Sequence, residues 1–298
     1  MYLFIINPKS GNGNAVSLWN EVEEKIKHNF NYKAIISNSE EETRNFITEQ
    51  QKINNIKTVA LIGGDGTVSS IIQEIACTDI SLAIFPTGSG NDTARTFRLT
   101  ADPDNFIKGL LNHRTTRIDL LKIDGRFGLT VAGVGIDAAI GNQANHAFYK
   151  PILNKLRLGS TTYTITAILA LLTFKPFKAV LTIDGEIHSL DNVWLTTIGN
   201  TSSYGGGLEV CPTAVPTDGI LNITMLNGVG RLTVLFRSFP ALLKGRPIQG
   251  KGVTYKTGKK IIIHSDRDVP AIVDGEIIQS PPLTISVQEK ALTLVLTT

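Results

Sequence analysis

Cysteine is nearly absent: the 298-residue chain carries two, Cys77 and Cys211. Two thiols are too few for a disulfide framework and have no metal-ligand spacing, so both are expected to be reduced, as in a cytoplasmic protein. The five histidines also lack ligand spacing, which leaves them core or surface roles. A large excess of charge of one sign is missing too, with 29 Lys and Arg against 26 Asp and Glu for a net +3. There is no basic run and no basic–aromatic interleaving, so nucleic acid is not the expected partner. The small positive balance is compatible with an anionic lipid or a nucleotide. Long hydrophobic runs are absent as well. The most apolar stretch, residues 163–174, is about half of the ~20 residues a bilayer crossing needs, and no transmembrane segment is expected. The first residues, Met1-Tyr2-Leu3-Phe4-Ile5-Ile6-Asn7-Pro8, show no basic segment or cleavage site and are expected to be a first strand, not a signal peptide.

What is present is ample core material. Apolar residues make up 42% and charged residues 18%, over a length that suits two domains. Strands are expected at 2–6, 32–36, 58–62, 81–85 and 117–123. Between them, helices carry Val16, Trp19, Val22 and Ile26, span 40–47, follow Thr67, and start near Asn91. That alternation predicts a doubly wound parallel sheet. From about residue 126 the rhythm changes. Strands are expected at 127–134, 178–183, 193–198, 220–226, 259–264, 269–273 and 283–287, with a helical insertion over 136–173. A largely antiparallel β domain fits this pattern. The run 291–296 fits either domain.

Residues 59–68 read as a buried strand running into Gly63-Gly64-Asp65-Gly66-Thr67 and then a helix with Val68, Ile71, Ile72 and Ile75 at helical spacing. Glycines there remove the Cβ atoms that would block a phosphate from the backbone amides, and Asp65 sits where it can help position a divalent cation. A tight strand-to-helix connection is the plainer alternative. Two further strand ends lower its weight: Asn7-Pro8-Lys9-Ser10-Gly11-Asn12-Gly13, and Thr87-Gly88-Ser89-Gly90-Asn91-Asp92. Turns at the carboxyl ends of parallel strands line one crevice.

On these residues, together with Ala94-Arg95, Asp119 in Arg117-Ile118-Asp119-Leu120, Gly205-Gly206-Gly207, Pro212 through Asp218-Gly219, and Asp274-Gly275-Glu276, the chain resembles the bacterial lipid kinases of the diacylglycerol kinase catalytic-domain family, relatives of the sphingosine and ceramide kinases. The resemblance spans essentially the whole chain. It implies an α/β fold: an N-terminal nucleotide-binding lobe like those of NAD kinases and phosphofructokinases, plus a C-terminal antiparallel β-sandwich that receives the lipid. The implied domains are 1–124 with 290–298, and 125–289.

It further implies ATP held by Asn7, Pro8, Lys9, Ser10, Gly11, Ser37, Gly64, Asp65, Gly66, Thr67, Ser89, Gly90, Asn91 and Asp92. Lys9 and Arg95 are phosphate candidates whose plainer reading is a solvated basic side chain. Mg²⁺ would be organised through Asp65, Asp92 and Asp119, and a second, structural Mg²⁺ by Asp218 with the carbonyls of Val215 and Ile220. Glu276 would be the general base, with Asp65 its catalytic partner. The implied reaction transfers the γ-phosphoryl group of ATP to a hydroxyl of diacylglycerol or a related lipid alcohol, within phospholipid metabolism, at the inner face of the membrane. Such chemistry asks for positioning, charge neutralisation and a carboxylate to take the hydroxyl proton.

Three departures from the family pattern stand out: Ser69-Ser70 where Asn-Glu is usual, Thr93 where a large apolar residue is usual, and Ser37 where some relatives carry Thr. Two alternatives stand beside the kinase: an NAD kinase-like enzyme, which shares the Gly-Gly-Asp-Gly-Thr turn, and a non-catalytic lipid-binding regulatory protein that keeps the fold, which the Ser69-Ser70 change motivates. Asp-Gly-Glu also occurs at 184–186, where a hairpin turn explains it; motif order favours the 274–276 copy. Residues 152–177, with Ile165, Ile168, Leu169 and Leu172 near Lys155, Arg157, Lys175 and Lys178, suit either an anionic membrane surface or a buried helix with snorkelling lysines. The lipid acceptor is not encoded legibly, and assembly is left open, a homodimer being the commonest form.

Overall fold

Strand β3 (Thr58–Gly63) is apolar on both sides and buried along its whole length, as a central parallel strand must be. In the computed structural model, which describes residues 1–146 and 159–297, it lies between β1 (Tyr2–Ile6) and β4 (Ser81–Pro86), with β2 (Tyr32–Ile36) outside β1, all parallel. Alternation assigns the two faces. Leu3, Ile5, Val59 and Leu61 point to a core shared with Ile47 of α2 (Glu40–Ile53) and Ile71, Ile72 and Ile75 of α3 (Asp65–Ile75). Phe4, Ile6, Ala60 and Ile62 point the other way, to Trp19, Val22 and Ile26 of α1 (Ala15–Ile26). Phe106 and Leu110 of a further helix complete that face. At roughly 1.5–3 kcal/mol per buried large apolar side chain, these two layers supply most of the drive to fold this half of the chain.

That further helix, Pro103–Asn112, lies beyond the elements expected from the sequence, although its start is well marked: the Asp102 carboxylate accepts the Asn105 amide and Pro103 opens the first turn. It follows the short α4 (Asp92–Phe97) and is α5.

The second half is antiparallel. Strands β7 (Val131–Gly135), β8 (Phe177–Ile183), β9 (Glu186–Gly199), β12 (Leu221–Asn227), β14 (Lys260–Ser265) and β15 (Ala271–Val273) build a β-sandwich around Phe177, Leu181, Ile198, Ile223 and Ile263. The expected strand at 127–134 is broken into β6 (Arg126–Gly128) and β7, because the amides of Leu129 and Thr130 turn to the Asp274 carboxylate instead of a ladder. Short strands β10 (Ser203–Tyr204), β11 (Leu208–Glu209), β13 (Val253–Gly258) and β16 (Glu276–Ile278) add to those expected.

Strand β17 (Leu283–Val295) joins the halves. Its first part pairs with β14, its length with β5 (Thr115–Ile123), and Thr293 and Leu294 run parallel to β4. The run 291–296 thus re-enters the parallel sheet as the end of a sandwich strand.

Helices α6 (Ile136–His146) and α7 (Gly159–Thr173) pack on the sandwich. Residues 152–158, with Lys155 and Arg157, and the side chain of Ile165 lie outside the described residues. Among the described residues, no helix is long and apolar enough to cross a membrane.

Candidate active site

The carboxyl ends of the four parallel strands open into one cleft of about 510 Å³. After β1, the chain turns through Gly11, Asn12 and Gly13, all at positive φ. The Asn7 side chain ties this turn across the cleft floor, donating from Nδ2 to Thr67 Oγ1 at 2.9 Å while its Oδ1 accepts the Lys9 amide. After β3, α3 begins at Asp65 and leaves its first amides without helical partners, a ready anion site. After β4, Gly88 meets Gly64 back to back. A Cβ on Gly64 would lie 2.9 Å from the Gly88 Cα, and one on Gly88 2.7 Å from the Gly64 Cα, so only glycine fits either position. Thr87 donates to Ser10 Oγ at 2.8 Å and links the first turn to the third.

Of the expected nucleotide residues, Asn7, Lys9, Ser10, Ser37, Gly64, Asp65, Gly66, Thr67, Ser89 and Gly90 line this cleft, and Pro8, Gly11, Asn91 and Asp92 do not. The end of β2 contributes a fourth wall. There Ser37 shares a 2.8 Å hydrogen bond with Thr43, and Asn38, Ser39 and Glu40 face the cleft. This turn has no glycine, so a reading keyed to glycines passes over it. Ser70 also lines the cleft, bonded to the Gly66 carbonyl.

Asp65 and Asp92 come together. Asp65 accepts the amides of Asp92 (3.0 Å) and Thr93 (3.2 Å), one on each oxygen, and so caps α4 from across the cleft. Asp92 is buried, accepts the Gly206 amide and pairs with Arg95 at 2.7 Å. Burial, and then the neighbouring Asp65, hold the Asp92 carboxyl above the usual carboxylate range against the opposing pull of Gly206 and Arg95. Two carboxylates crowded at an anion-binding helix start are a donor set that a divalent cation would relieve.

Asp119 is engaged elsewhere. Its oxygens accept the amides of Gly219 (2.7 Å) and Lys290 (2.6 Å), tying the 216–219 loop to the irregular stretch of β17. Among the described residues no three His, Cys, Asp or Glu side chains converge on one point. In the tied loop, the Val215 carbonyl accepts the amides of Thr217 and Asp218, and the exposed Asp218 carboxylate accepts the Ile220 amide. The three residues expected to share an ion thus occupy a single turn held by Asp119.

Glu276 opens β16 and forms an ion pair with Arg126 through Oε2, while its Oε1 is buried with no hydrogen-bond partner. Arg126 reaches in turn to Ser69 Oγ at 3.5 Å, on the first turns of α3. Ser69 and Ser70, the departures from the family pattern, therefore lie between the nucleotide cleft and this carboxylate. The other copy, Glu186, is exposed and pairs with Lys256 on a surface hairpin.

Comparison with known proteins agrees with this architecture. Residues 1–123 match the diacylglycerol kinase catalytic domain, and residues 130–296 match the YegS C-terminal NAD kinase beta sandwich-like domain. A protein named diacylglycerol kinase from Mycobacterium tuberculosis (strain CDC 1551 / Oshkosh) is 32% identical over 295 residues, covering 97% of this chain and 92% of its own. The crystal structure of a diacylglycerol kinase from Bacillus anthracis shares the fold with a TM-score of 0.75 at 19% identity, over 99% of this chain and 96% of that one. With both halves matched in order, the chain belongs to the diacylglycerol kinase catalytic-domain family of bacterial lipid kinases.

Proposed function

We propose that this chain transfers the γ-phosphoryl group of ATP to the hydroxyl of diacylglycerol or a closely related lipid alcohol. Residues 1–124 with 290–298 would hold the nucleotide, and 125–289 would receive the lipid. The observation that carries the reading is the state of Glu276: one oxygen fixed by Arg126, which also reaches Ser69 of α3, and the other buried and unpaired. An orphaned buried acceptor is costly unless a ligand satisfies it, and a substrate hydroxyl would do so.

In this reading the triphosphate lies on the first amides of α3 and the glycine turns after β1 and β4, with Lys9 beside them. Mg²⁺, when bound with the nucleotide, would neutralise phosphate charge next to Asp65 and Asp92, with Asp119 keeping the loop of Val215, Asp218 and Ile220 in place for the second ion. The lipid hydroxyl donates to Glu276 Oε1. As its oxygen bonds to the γ-phosphorus and the bond to ADP breaks, the proton passes to that carboxylate. Arg126 keeps the carboxylate aimed throughout.

Incubation with γ-labelled ATP and diacylglycerol in mixed micelles tests this directly. Labelled phosphatidic acid is the expected product. Label on NAD⁺ instead would make the chain an NAD kinase, and lipid binding without any transfer would make it a non-catalytic lipid binder.

A further inference from the structure

Residues 231–243 form a helical stretch with a widened turn at Val234–Ser238. Its inner side chains, Val234 and Leu242, pack into the same apolar cluster as Ala167, Ala170 and Leu171 of α7. Arg231 fastens the two helices together, donating to the carbonyls of Leu171, Leu172 and Phe174 at the end of α7. Because both helices bury one side in one cluster, their other sides lie next to each other on the surface.

Those outer sides are apolar where solvent would favour polar residues. Leu232 is 69% and Phe236 72% exposed, with Ile168, Leu169 and Leu172 of α7 also exposed beside them. Such a contiguous patch marks an interaction surface. Its rim is basic. Arg237, Lys244, Arg246 and Lys251 are exposed and form no ion pair among the described residues. The chain has no acidic residue at all between Asp218 and Asp266. On a molecule of net charge only +3, this stretch carries basic side chains and no acidic one of its own, with Glu209 of a neighbouring short strand the carboxylate packed beside it. Directly beneath the two helices lies an apolar cavity walled by Leu171, Val234, Phe239 and Leu242.

We infer that the paired outer faces of α7 and residues 231–243 dock this protein on an anionic lipid bilayer, with Leu232 and Phe236 entering the interface and the basic rim over the headgroups. The charge decides the occupant. A bilayer carries the dense negative charge that four unpaired basic side chains match, whereas a second copy of this chain would bring the same positive rim against them. The position also fits the proposed lipid substrate: the helices that would touch the membrane are the roof of an apolar cavity in the sandwich. This inference deepens the proposed lipid kinase reading and rests on it for its biological sense.

The test is co-sedimentation of the full chain with vesicles of phosphatidylcholine and phosphatidylglycerol in equal parts, alongside phosphorylation of water-soluble dioctanoylglycerol. Wild type should bind these vesicles and lose binding with added salt. The double substitution Leu232→Glu and Phe236→Glu, at exposed positions, should weaken binding by about tenfold or more. Replacing Arg237 or Lys244 by Gln should weaken it by about fivefold each. All variants should phosphorylate the soluble lipid as wild type does. Unchanged vesicle binding in the double variant would overturn the inference. So would a wild-type dimer, formed without vesicles, that the double variant dissociates, because the face would then belong to a second copy. Failure of wild type to phosphorylate the soluble lipid would instead remove the kinase reading, leaving the vesicle result to decide this one.

Discussion

The two Asp-Gly-Glu hairpins of this chain are the same tripeptide in the same turn. Asp184 and Asp274 have φ of 48° and 50°, and the glycines that follow 93° and 86°, a pair of left-handed residues that closes a tight hairpin. Their surroundings divide them. The Asp184 carboxylate accepts the exposed amides of Lys259 and Lys260, and Glu186 lies 70% exposed beside Lys256. Asp274 instead accepts the amides of Leu129 and Thr130 and the Thr130 hydroxyl, and Glu276 faces Arg126 with one oxygen buried and unpaired. Local sequence builds the turn; what packs against it decides whether the glutamate has a task.

If surroundings decide, disturbing the cleft beside the second hairpin should have the largest effect. Asp65→Asn is expected to lower phosphoryl transfer by about 10³-fold, the scale of several kcal/mol of lost charge stabilisation at the phosphates. The same change also leaves one of the two α4 amides without its carboxylate oxygen, so the melting temperature should fall by an amount worth about 1 kcal/mol. A steady-state assay with a thermal melt reads both.

The two aspartates sharpen the contrast in stability. Asp274→Ala should cost about 3 kcal/mol, because two backbone amides and a hydroxyl at the break between β6 and β7 lose a charged acceptor. Asp184→Ala should cost about 1 kcal/mol or less, since the Lys259 and Lys260 amides can turn to water. Urea denaturation of the two variants distinguishes them, and equal losses would break the comparison.

A pH-dependent effect lies in the sandwich. Burial lifts Asp137 from 3.8 to about 7. The unfolded chain releases this proton first, so the contribution to stability is full below about pH 4 and is lost as pH rises through about 7. Wild type should therefore lose urea resistance across that window relative to Asp137→Asn, in which the group cannot ionise. Parallel pH profiles for the two proteins would contradict this.

The parallel sheet was legible in the sequence because β1, β3 and β4 are apolar on both faces and their phosphate-facing turns are marked by glycine. The Ser37-Asn38-Ser39 wall of the same cleft was not, since serine and asparagine at a strand end are ordinary turn residues. The ties that set the site's geometry were harder still. Asp119 reaches Gly219 and Lys290, 100 and 171 residues away, and Arg126 reaches Glu276 across 150. No local pattern encodes such pairings. The family resemblance supplied candidate residues, and the tertiary contacts distinguish the two glutamates. The 231–243 helix is masked in the sequence because Gly230 before it and Pro240 within it read as turn signals.

The most direct measurement is kcat for lipid phosphorylation by Glu276→Gln and Glu186→Gln, assayed together at saturating ATP with diacylglycerol in mixed micelles. Glu276→Gln should lose about 10²–10⁴-fold, the range for removing acid–base assistance, with nucleotide affinity unchanged. Glu186→Gln should stay close to wild type, as expected for an exposed hairpin position. A large loss at Glu186 with little at Glu276 would contradict the account, and little loss at either would move the proton acceptor elsewhere.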